Sequence, residues 1–180
     1  MINIRRNVFE TNSSSTHSIC VTKSNKKVII PKRIRINLAD YEFGWSFDKF
    51  YTTEFKLAYI AIGIFSYANI DMASAQIKLL LNYLQDFGVE NVHIEGFGVN
   101  LYAPSLNMDK VMYFDITDGY VDHANDLKDF IGALLNDKEL LKRYLFSEES
   151  FIITGNDNEY EEEDMAIKVT YDHDEFYKGN

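Results

Sequence analysis

Two guanidiniums, a carboxylate, an imidazole and a run of hydroxyls and amides fall within fourteen residues, Arg5 to Ser18. Those types suffice for RNA strand cleavage without a metal: a base for the 2′-hydroxyl proton, an acid for the leaving oxygen, and cations for the phosphorane charge. The candidate set is His17 and Glu10 for the proton transfers and Arg5 and Arg6 for the phosphate, with Asn12, Ser15 and Thr16 as further hydrogen-bonding groups. Spacing allows convergence, since Arg6 falls on the face of Ile4 and Val8 and His17 on the face of Ile19 and Val21, both at the loop end of a hairpin. The same residues also suit a structural role. In that reading the Asn and Ser side chains satisfy the loop's own backbone and His17 is half-buried against it.

Elsewhere the chemistry is sparser. Asp122 and His123 precede an apolar-periodic segment, so Asp122 reads first as a helix cap with His123 in the first turn; adjacent residues seldom converge on one ligand. Gly155-Asn156-Asp157-Asn158 has turn composition. Asp172-His173-Asp174 reads as a frayed, solvated end. The run from Glu159 to Asp164 either imitates nucleic-acid phosphate in a basic channel or forms an exposed acidic loop. No Walker loop, dinucleotide glycine motif, HExxH or CxxC pair occurs, which removes support for the common nucleotide-dependent, redox and zinc enzymes. Nothing in the chain names a cofactor.

The run RRNVFETNSSSTHS, Arg5 to Ser18, resembles the N-terminus of a family of small proteins of phages and prophages of Firmicutes. Length, acidic body and N-terminal hairpin are similar to a type II anti-CRISPR protein within that group. The resemblance implies an inhibitor of a type II CRISPR effector nuclease that acts by having the guide RNA truncated, with the N-terminal hairpin as the working part. The family carries similar DH and GNDN segments, so Asp122, His123 and Asp157 enter as secondary members of a composite site at the strand ends. A blocker that cuts nothing, or an accessory protein with an unrelated partner, remains open.

Charge distribution agrees with a local phosphate-binding surface. Met1 to Leu38 holds eight cations (Arg5, Arg6, Lys23, Lys26, Lys27, Lys32, Arg33 and Arg35) against Glu10 alone, 8 − 1 = +7; the whole chain carries −10, so the rest carries −17. A basic segment on an acidic body gives nucleic acid one place to bind. The other reading is two solvated faces that aid solubility.

The elements that must position these groups belong to one domain, residues 1–180: a basic, β-rich segment 1–38 and an acidic body 39–180. With 46% hydrophobic and 14% aromatic residues the chain can offset its ordering entropy. One cysteine, Cys20, excludes an intramolecular disulfide, and with no signal peptide or membrane-length apolar run in view the expected setting is the cytoplasm of a bacterial host, without a membrane partner. Period-two alternation predicts a β-hairpin over Ile2 to Thr22 and strands at Val28–Ile30, Ile34–Leu38, Val92–Ile94, Val111–Ile116, Phe151–Thr154 and Ala166–Tyr171. Four helices are expected: an all-round apolar one from Thr53 to Ala68, one capped by Asp71 and stopped at Gly88, one carrying Leu127 to Leu135, and one capped by Asp137. The fold class is α+β, a mixed or antiparallel sheet with about four helices packed on it.

Overall fold

The computed structural model describes residues 15–23, 28–44, 48–96, 101–103, 119–122, 127–156 and 175–179. Its four helices, α1 (Thr53–Tyr67), α2 (Ile70–Asp86), α3 (Leu127–Asn136) and α4 (Lys138–Phe146), match the sequence expectation. Every residue of α1 from Lys56 to Ile64 is buried, as an apolar run interrupted only by Lys56 leads one to expect, and α2, α3 and α4 all lie against it. Gly63 allows the α1–α3 approach: a Cβ there would stand 2.8 Å from Ile131 Cδ1.

Local chemistry sets the helix ends. Asp137 caps α4, its Oδ1 accepting from the N–H groups of Glu139 and Leu140 at 3.0 Å each. At α2 the expected cap moves by two residues: Asn69, not Asp71, holds the N-cap, with Oδ1 accepting from Met72 N–H at 2.9 Å. Asp71 sits in the first turn, where its charge still meets the positive end of the helix. The stop at Gly88 is as expected. Gly88 adopts φ +99°, its N–H donates to the Gln85 carbonyl and the Val89 N–H to that of Leu84, which together close a Schellman turn.

Three sheets surround α1. The first is antiparallel throughout, in the order β4 (Asp48–Phe50), β8 (Phe151–Asn156), β1 (Ser15–Val21), β9 (Glu175–Gly179). The second is mixed: β2 (Arg33–Asn37) runs parallel to β5 (Asn91–Glu95), which pairs antiparallel with β6 (Leu101–Ala103). The third joins β3 (Glu42–Phe43) in parallel to β7 (Tyr120–Val121). An aromatic cluster holds the short strands to α1: Phe43 meets Tyr59 and Phe50 edge-on at 5.0 and 5.1 Å between centroids, and Phe50 stacks on Phe55 at 4.7 Å. No helix among the described residues is long and apolar enough to cross a membrane.

The strand expectations fare unevenly. The second arm of the anticipated hairpin exists as β1, but over His17–Cys20 its two edges are occupied by β8 and β9, so its partners come from the far end of the chain. The first arm, Ile2–Val8, lies outside the described residues, as do Val111–Ile116 and Ala166–Tyr171. Val28–Ile30 is no strand: Val28 makes an isolated bridge to Ser147, and the Ile29 N–H donates to the Phe146 carbonyl at 3.0 Å.

Candidate functional site at the β1–β8 sheet end

β1 alternates cleanly. His17, Ile19 and Val21 face inward with Ile152 of β8, while Cys20, Phe151 and Ile153 form a separate cluster on the other face. His17 therefore continues the apolar stripe, as its spacing implied, and is carried to 1% exposure. Its ring packs on Tyr59, centroids 5.8 Å apart. Thr154, directly across from His17, is equally buried. Burial holds the Tyr59 phenol well above its usual pKa, so it stays a neutral hydroxyl, and its Oη has no hydrogen-bond partner among the described residues. The imidazole is thus part of the packed interior among the described residues.

Register brings two of the sequence signatures together. Ser15 and Thr16 stand opposite Asn156 and Gly155, so the end of the Arg5–Ser18 motif meets the start of the Gly155–Asn158 segment. Asp48 of β4 stands beyond Thr154, and Gly179 of β9 lies across from His17. Asp157, Arg5, Arg6, Glu10, Asn12, Lys26, Lys27 and His123 lie outside the described residues. Asp122 follows β7, and its N–H donates to the Phe43 carbonyl at 2.9 Å; the stretch 123–126, where the helix it was expected to cap would begin, lies outside the described residues. Its tie to Phe43 belongs to the β3–β7 pair, and Phe43 in turn packs on Tyr59, the ring that meets His17.

The described cations do not join His17. Arg33 and Arg35 project outward from β2, on a different sheet from β1, while Ile34 and Ile36 fill the inner positions. Arg35 pairs with Glu95 at 2.8 Å, and Lys32 with Glu90 at 2.8 Å, holding the Glu90 carboxyl below its usual pKa chiefly through that hydrogen bond. The basic stripe on β2 is thus met by carboxylates of the neighbouring strand and its approach, which lowers its pull on phosphate. Lys23 is exposed just beyond β1. Among the described residues no group of three or more His, Cys, Asp or Glu side chains is arranged to hold a metal.

One residue escaped the sequence reading. Lys56, in the second turn of α1, is 1% exposed, and its Nζ donates to the carbonyls of Ser147 at 2.7 Å and Ser150 at 3.1 Å. Burial pushes its pKa down to about 7, against the opposing pull of Glu54 and Glu148. The signal was present: a single cation between Phe55 and Leu57 within an otherwise apolar run. This ammonium fixes the α4–β8 turn, where Ser150 Oγ also donates to the Arg143 carbonyl and accepts from Thr22 N–H just after β1.

No family model, curated protein or solved structure matches the chain, so the resemblance rests on the Arg5–Ser18 motif and its two short companions.

Proposed function

We propose that this protein is a phage-derived inhibitor of a type II CRISPR effector nuclease that engages the effector's guide RNA through its basic N-terminal segment and brings about truncation of the guide. In this reading the bond is cut within the effector complex, not by a solvent-exposed acid–base pair of this chain. The motif Arg5–Ser18 and the +7 charge of residues 1–38 (8 cations less 1 anion) support the partner. The observation that carries the mechanism is the burial of His17, which suits a residue that seats the motif on the sheet. Arg5, Arg6, Lys26 and Lys27 then serve to hold phosphate.

An intrinsic ribonuclease is the second reading, favoured by the register that sets Ser15 and Thr16 beside Gly155 and Asn156. Binding of guide RNA, titrated with salt, tests the shared part of both. Neutralising Arg5, Arg6, Lys26 and Lys27 together should lower the slope of log K against log salt by about 3, the value for four phosphate contacts on a single strand. An unchanged slope would move the contact elsewhere. Loss of inhibition on charge reversal at Glu159–Asp164, with RNA intact throughout, would replace both readings with a pure blocker.

A further inference from the structure

The segment before β2, the approach to α1 and the α4–β8 turn enclose a surface groove of about 590 Å³. Three large hydrophobic side chains are exposed among the described residues, and two of them, Ile29 at 63% and Tyr51 at 58%, line this groove with Pro31 and Phe146. Apolar surface gathered in one concavity costs solvation that an occupant would relieve. Two carboxylates, Glu54 and Glu148, complete the lining, and neither has an ion-pair or hydrogen-bond partner among the described residues. The cation beside them, Lys56, points its ammonium into the Ser147 and Ser150 carbonyls.

Charge selects the occupant. Nucleic acid would meet these carboxylates with its phosphates and is repelled, whereas an arginine or lysine is attracted. We propose that the groove docks a short segment of a partner protein in which a bulky aliphatic side chain is flanked by arginine or lysine. The aliphatic group lies between Ile29, Tyr51 and Phe146, and the flanking cations meet Glu54 and Glu148. This surface is distinct from the β1–β8 sheet end and stands whether or not the guide-RNA reading holds.

Fluorescence polarisation of the full chain with a labelled peptide alternating leucine and arginine tests it, beside two control peptides carrying serine for leucine or glutamate for arginine. The leucine–arginine peptide should bind and both controls should bind at least about tenfold more weakly. Ile29→Ser with Tyr51→Ser should weaken binding about tenfold at an unchanged melting temperature. Glu54→Gln with Glu148→Gln should weaken it several-fold, while the same charge change at Asp71 and Glu139 leaves it unaltered. Equal loss at Asp71 and Glu139 would reduce the effect to diffuse attraction by an acidic protein. Equal binding of the serine peptide, no binding of any peptide, or self-association that disappears in the Ile29 variant would each overturn the proposal.

Discussion

An ammonium placed where water does not reach it gives up its proton more readily than in the unfolded chain, and Lys56 is such a group. Its pKa falls from 10.5 to about 7 on folding, so between those values the unfolded chain holds a proton that the folded chain has released. Stability therefore rises with pH through that window, by up to a few kcal/mol. Tyr59 and Tyr144 act in the opposite sense: burial raises both well above 10, so stability falls once the unfolded phenols ionise above about pH 10. Urea midpoints measured from pH 6.5 to 11 should pass through a maximum near pH 9 to 10, and Lys56→Met should flatten the rising limb. A rising limb unchanged in that variant would assign the proton elsewhere. His17→Ala, at 1% exposure against Tyr59, should cost about 1–3 kcal/mol in stability. Thermal melting and inhibition measured on the same preparation should then fall together.

Helices were far more legible than strands, and the reason is the range of the interactions that make them. Leu127, Phe130, Ile131, Leu134 and Leu135 announce α3 by spacing alone, and Asp137 announces the next helix by the two N–H groups it can reach. Asp137→Ala should accordingly cost about 1 kcal/mol, measured as a shift in urea midpoint. Alternation around Ile19 and Val21 identified a strand but not its partners, because pairing is decided by residues more than a hundred positions away on β8 and β9. β3 and β7 pair over only two residues each and β4 over three, too short for a period-two pattern to register. Their position comes instead from the Phe43–Phe50–Phe55–Tyr59 cluster and from Gly119, whose missing Cβ leaves room for the Leu38 carbonyl. Because that obstacle is backbone, Gly119→Ala should destabilise by about 3 kcal/mol, and a midpoint within error of wild type would show that β7 can shift freely. Of the candidate site, the inward face of His17 was readable from spacing; its depth of burial was not, since that depends on which helices close over the sheet.

At the scale of the whole molecule, a strongly acidic body carries a basic N-terminal segment, and the histidine near the end of the motif is buried in the sheet. That arrangement suits a protein that recognises an RNA-bound partner and leaves the cutting to the assembled complex. The most direct measurement is the length of the guide RNA after incubation with the purified protein, with and without the effector. The guide should stay full-length when the protein acts alone and be shortened when the effector is present, with His17→Ala reducing the effect only in proportion to its folded fraction. A guide shortened by the protein alone, and left whole by a His17→Ala variant that melts at the wild-type temperature, would contradict this reading.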